Sequence, residues 1–267
     1  MSFLILDADK SLSSIGGYPA ATSLSGLPPV PINSGFSQLN RVMKKLVTRG
    51  EREITHPILG KSLEPYVELT PLGKANNLQG VVTDTFSVAS QQEIQLITAP
   101  QKAEDEPRQM ELKDWGVLSQ RGTSYLMLNS LLPIWSITLS HMSYEKDGAT
   151  GIMFWQPQIA GGTKDNMPKF FDIILVSRVV HTKSKDSVFT WLTRPDNQFP
   201  AKDRLGILPA EMPQDFKVVF DAYAKAGVPN PKILVLGKSG TGKTFSLKTI
   251  PSQFAQPATG STSQGPT

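Results

Sequence analysis

Short, almost wholly apolar runs alternate along the chain with segments in which apolar residues recur every three or four positions. The runs are FLILDAD at 3–9, QGVVTDTFS at 79–87, SITLSHM at 136–142, FDIILVSRVV at 171–180, SVFTWLT at 187–193 and PKILVLG at 231–237. Runs of this length, bounded by polar residues, predict strands buried on both faces. Leu39, Val42, Met43, Leu46 and Val47 fall at helical spacing with Arg41, Lys44 and Lys45 outward, which predicts an amphipathic helix over 37–48. Further helices are predicted over about 112–132 and over 213–226; the second opens at Pro213 and carries Phe216, Val219, Phe220 and Tyr223 on one face. The Gly/Pro/Ser-rich stretch 11–35 reads as a long loop and QKAEDEPRQ at 101–109 as a surface loop. The segment 50–78, broken by Pro57, Pro65 and Pro71, reads as an irregular insertion, and 251–267 as a flexible tail.

Strands alternating with helices predict an α/β domain with a mostly parallel sheet flanked by helices. It spans 1–250 as a single domain. The last strand and helix, 231–250, are too short to bury their own apolar faces, so they are expected to complete a sheet made by the preceding residues.

Composition narrows the chemistry. The 267 residues carry 27 Lys+Arg against 23 Asp+Glu, a formal charge of +4, which permits contact with nucleic acid without requiring it. No run approaches the roughly 18 apolar residues of a spanning helix, so no membrane partner is expected. Asp7 and Asp9 cut off the N-terminal apolar run, which lacks a basic leader; a cytoplasmic location is the default expectation. The absence of cysteine removes disulfides, thiol nucleophiles and thiolate metal sites, and the three histidines, His56, His141 and His181, are scattered.

One motif carries specific chemistry. Gly237, Lys238, Ser239, Gly240, Thr241, Gly242, Lys243 and Thr244 match G-x-x-x-x-G-K-[ST] in full, after a predicted strand and before a predicted helix. Glycines let the backbone form a nest of N–H groups around phosphate oxygens, Lys243 can reach the β and γ phosphates, and the Thr244 hydroxyl can ligate Mg2+. ATP and Mg2+ are the implied cofactors. Such a loop needs an acid at the end of a neighbouring strand, and VVTD offers Asp84. Asp9, closing FLILDAD, could orient or deprotonate an attacking water, or it could simply cap a loop. No N-K-x-D sequence reads a guanine base; Thr163-Lys164-Asp165-Asn166 is only a near miss.

With these residues in view, the chain resembles phage-encoded RecA-like ATPases related to single-strand annealing proteins. FLILDAD looks like the strand ending in the catalytic carboxylate, VVTDTFS like the Walker B strand, and SITLSH like the strand ending in a polar γ-phosphate sensor. The stretch from Phe170 to Gly227 is similar to the C-terminal part of those proteins, in which the phosphate-loop strand comes first. Here it follows the others, so the resemblance implies a circularly permuted RecA-like P-loop NTPase core. A domain swap of the terminal unit into a neighbouring molecule is the alternative. The resemblance implies Walker A roles for Lys243 and Thr244, the Walker B role for Asp84, the catalytic carboxylate for Asp9 and the sensor role for His141. Asp9 departs from the glutamate of RecA itself. Lys202 and Arg204 resemble a basic pair that reaches the neighbouring subunit's nucleotide, which implies a homo-oligomeric ring or filament.

Between His141 and Phe171, the residues Lys146, Phe154, Trp155 and Lys164 lie in a glycine-rich segment where RecA-like proteins carry a DNA-binding loop. Aromatics beside cations suit stacking on single-stranded bases. IMFWQPQI reads equally well as a buried hairpin strand. The leading expectation is an ATP-dependent protein acting on single-stranded DNA in phage recombination or replication, in the host cytoplasm, with a single-strand DNA-binding protein as a further partner. The alternatives are a nucleotide-dependent switch or assembly factor without DNA, and an annealing module with little ATPase activity.

Overall fold

The computed structural model describes residues 2–8, 30–57, 60–100, 106–146, 148, 150–181 and 187–250. The elements begin with β1 (Ser2–Asp7), β2 (Val30–Pro31), α1 (Gly35–Leu46), β3 (Val47–His56), β4 (Gly60–Leu69), α2 (Pro71–Ala75), β5 (Leu78–Asp84), α3 (Phe86–Thr98) and α4 (Leu112–Ser130). They continue with β6 (Trp135–Lys146), β7 (Met153–Pro157), α5 (Thr163–Asn166), β8 (Ile173–His181), β9 (Ser187–Leu192), β10 (Lys202–Asp203), β11 (Glu211–Pro213), α6 (Phe216–Lys225), β12 (Lys232–Gly237) and α7 (Lys243–Ser246).

Ten strands form one mixed sheet in the order β11-β9-β8-β12-β6-β5-β1-β2, with β10 against β8 and β7 against β6. From β8 to β2 every pairing along this order is parallel, while β9, β10, β11 and β7 are antiparallel additions. β12 is hydrogen-bonded on both sides, to β6 and to β8 of the same chain.

The strands of this centre alternate cleanly between two cores, because successive side chains point to opposite faces. Leu4, Leu6, Ile174, Val176, Leu234 and Leu236 pack on one side against Phe36, Leu39 and Met43 of α1, Phe86 of α3 and Tyr125 of α4. Phe3, Ile5, Ile137, Leu139, Ile173, Leu175, Ile233 and Val235 pack on the other against Phe216, Val219, Phe220 and Tyr223 of α6. The fold is therefore α/β, a mostly parallel sheet flanked by helices. No helix among the described residues is long and apolar enough to cross a membrane.

The segment expected to be irregular is regular. β3 and β4 pair antiparallel from Val47↔Leu69 to His56↔Gly60 as a separate two-stranded sheet. Most of its described side chains are exposed, and Leu63 is 66% exposed. Among its described side chains only Val47 is buried, so little imposes an alternating pattern on the sequence. The loop expected over 11–35 lies outside the described residues as far as 29, as does the tail 251–267.

Candidate functional site

The phosphate-type loop begins at the buried end of β12. A Cβ on Gly237 would meet the Thr241 side chain at 2.4 Å and Ser177 at 2.8 Å, so the loop doubles back against its own strand with no room for a side chain. Gly242 has φ +82°, in the left-handed region that favours glycine, and a Cβ there would press on Gln214 at 2.7 Å. Lys243 is buried and curls back on the loop: its Nζ donates to the carbonyls of Gly237 at 2.8 Å and Lys238 at 2.7 Å, and lies 3.4 Å from His141 Nδ1. Thr244 follows in the first turn of α7 and is partly exposed.

The helix after the loop is shorter than the sequence motif implies. α7 ends at Ser246 in a 3-10 turn over Leu247–Thr249, and Pro251 follows; a proline cannot continue the helical hydrogen bonding. One turn contributes little macrodipole, so the positive charge at this loop rests mainly on Lys243.

The sheet brings other chemistry to the same edge. Asp84 closes β5 with no solvent exposure, and in the β1/β5 register it stands opposite Asp7, itself 8% exposed. One strand, β6, separates β5 from β12, and His141 on β6 is in register with Gly237. Ser87, in the first turn of α3, holds this strand end: its Oγ accepts from the His141 backbone N–H at 2.9 Å and bonds Ser140 Oγ at 2.9 Å. Asp9 lies outside the described residues. Asp7, the described acid of the N-terminal run, is set beside Asp84.

Lys202 and Arg204 do not reach the loop within one chain. β10 pairs with Ile173 and Ile174, at the start of β8, whereas Gly237 lies at the opposite edge, where the parallel strands end. Lys202 Nζ donates to Phe171 O at 2.6 Å, and burial first, then the neighbouring Arg204, pushes its ammonium down from the ordinary lysine value. Arg204 is paired with Asp172 at 2.7 Å.

The residues expected at DNA separate into two groups. IMFWQP contributes β7, which pairs antiparallel with the end of β6. Phe154 stands opposite Glu145 and Trp155 opposite Tyr144, so the two aromatics point to opposite faces of the hairpin. Lys164 donates to both oxygens of Glu145 at 3.0 Å, which holds that carboxyl below the ordinary range. Lys146 is exposed opposite Met153. Trp155 faces the phosphate-type loop: Lys238 Nζ sits 4.3 Å from its ring centroid, with Tyr144 at 4.6 Å and Phe199 at 6.2 Å.

Comparison of the chain with family models, curated proteins and solved structures found no match. The site is thus read from its own residues. Two of them escape sequence reasoning. Gln214 joins β9 to the loop by donating to Thr190 O at 3.1 Å and Thr241 O at 2.9 Å, and Ser87 joins α3 to β6. Neither belongs to a spaced motif. The available signal for Ser87 was its place just after VVTD, where a residue opening a helix lies over the strand ends.

Proposed function

We propose that this protein is a RecA-like P-loop ATPase with a permuted strand order, acting on single-stranded DNA in phage recombination or replication. The observation that carries the reading is the meeting, at one sheet edge, of the loop Gly237–Thr244 with Asp84, Asp7 and His141, supplied by strands far apart in sequence. The terminal strand sits inside the sheet of its own chain, the placement that the permutation requires.

The residues present suit a magnesium nucleotide. The loop offers backbone N–H groups, and Lys243 offers a cation already desolvated against two carbonyls that a phosphate group would relieve. Among the described residues no group of three His, Asp or Glu side chains could hold a metal alone, so the Thr244 hydroxyl and the Asp84 carboxylate would share Mg2+ with the nucleotide's phosphates. The bound ion would neutralise charge on those phosphates. Water attacks the γ phosphorus while the bond to the β-phosphate oxygen breaks, giving ADP and inorganic phosphate. The protein's share is positioning and charge stabilisation. Asp7 or Asp9 orients the water, and His141, in reach of Lys243, registers the γ phosphate. Lys202 and Arg204 would act only on a neighbouring copy's nucleotide, in a ring or filament, after leaving their present partners.

Trp155 and its neighbouring aromatics provide a stacking surface for bases beside the loop. The Lys164–Glu145 pair favours a second reading, a nucleotide-dependent switch without DNA, because it removes one of the cations offered to a phosphate backbone. Steady-state ATP hydrolysis with and without single-stranded DNA, with Lys243→Ala as the blank, decides between them. Turnover stimulated by DNA and lost by at least about a hundredfold in the variant is the expected result. Wild-type turnover in Lys243→Ala would refute the nucleotide site, and turnover indifferent to DNA would leave the switch.

A further inference from the structure

A second polar cavity lies away from the sheet edge, between α1 and α4. Ser37, Asn40 and Lys44 recur at helical spacing along α1, facing Arg121, Ser124 and Met127 of α4, and Arg49 at the base of β3 closes one end. The cavity measures about 650 Å³, and no residue of the loop 237–244 lines it. That volume lies in the usual range for a small-molecule site, roughly 300–1,000 Å³.

Its lining has a definite chemical preference. Lys44, Arg49 and Arg121 line it, and no carboxylate does. Arg121 is paired with Glu93, whose fully buried carboxylate also accepts from the Ser37 backbone N–H at 2.7 Å and the Ser37 hydroxyl at 2.8 Å. Lys44 and Arg49 are exposed and form no ion pair among the described residues. Asn40 ties the two helices together beneath the cavity. Its Nδ2 donates to Phe36 O and Arg121 O, both at 2.9 Å, which fixes the amide, and its buried Oδ1 has no partner among the described residues. Val47, Leu128 and the 47% exposed Met127 supply an apolar wall.

An anion for two free cations and a flat apolar surface for the wall occur together in a nucleotide. We propose that the cleft between α1 and α4 binds a phosphate-bearing nucleotide unit, at a site distinct from the phosphate-type loop. The unit comes from a single strand or is free in solution, and its phosphate chemistry is shared by both.

The test uses the full chain carrying Lys243→Ala, so that the loop contributes least, with and without Lys44→Glu and Arg49→Glu. Anisotropy of a labelled oligothymidylate is read across a salt titration. The double charge reversal should weaken binding at least about tenfold and lower the slope of log K against log salt by about 1.4, the share of two phosphate contacts on a single strand. Thymidine monophosphate that displaces the label assigns the site to free nucleotides, and failure to displace it assigns the site to a strand. Either result supports the nucleotide unit. Equal binding with and without the charge reversals, or no binding of either probe, overturns it. Lys44→Glu with Arg49→Glu in the otherwise unaltered chain should keep its ATP turnover, so this site and the loop fail or stand separately.

Discussion

Lys232 shows how one side chain serves the fold from inside a strand. It opens β12, is 5% exposed, and its Nζ donates to Leu132 O, Ile134 O and Asn230 O at 2.8, 2.9 and 2.6 Å. Burial pushes its ammonium down to about 8. The unfolded chain holds that proton more tightly, so between about pH 8 and 10.5 unfolding takes up a proton and stability rises with pH. Lys232→Met leaves three carbonyls without their donor. It should destabilise the protein by about 1–3 kcal/mol at pH 7 in chemical denaturation. The gap to the parent should widen as pH rises from 8 towards 10, because the variant lacks the titrating group. A constant gap would place the proton's release elsewhere. PKILVLG shows a lysine before an apolar run, but not the carbonyls that surround it, because two of the three come from residues about a hundred positions earlier.

At the scale of elements, legibility follows burial. β1, β5, β8 and β12 could be read because strands covered on both faces must be apolar throughout. β3 and β4 could not, since an exposed hairpin sets no periodic constraint, and β2, β10 and β11 are too short to carry a pattern. The candidate site divides in the same way. Gly237 to Thr244 were legible because they form a motif of consecutive residues, whereas Asp7, Ser87 and Gln214 acquire their place only through sheet register and packing. The contact between Lys238 and Trp155 crosses that divide, joining a loop residue to the β6–β7 hairpin. A cation over an indole contributes on the order of 1 kcal/mol and alters the ring's surroundings. Nucleotide on the loop should therefore change Trp155 emission, and Lys238→Ala should remove most of that change. An identical response in Lys238→Ala would remove Lys238 from the coupling, and an undiminished response in Trp155→Phe would show that the signal comes from another of the four tryptophans.

For the whole molecule, the decisive feature is that the centre of the sheet is filled from late in the sequence. β6 and β8 are both in place before β12 in chain order, yet neither pairs with the other; each waits for Lys232–Gly237 to come between them. During translation this sets a schedule. About 50 residues separate the end of β8 from the start of β12, roughly 3–10 s of elongation. For that interval the nascent chain has two hydrophobic strands flanking an empty lane. Chains stalled before residue 231 should be cut readily by protease in β6 and β8, and those stalled on an added linker after residue 250 should resist. Early resistance would mean that the two strands close on each other first and must be parted again. The cell's chaperones would then meet this protein with the centre of its sheet still open, and the loop 237–244 could take its place beside His141 only once β12 had filled that lane.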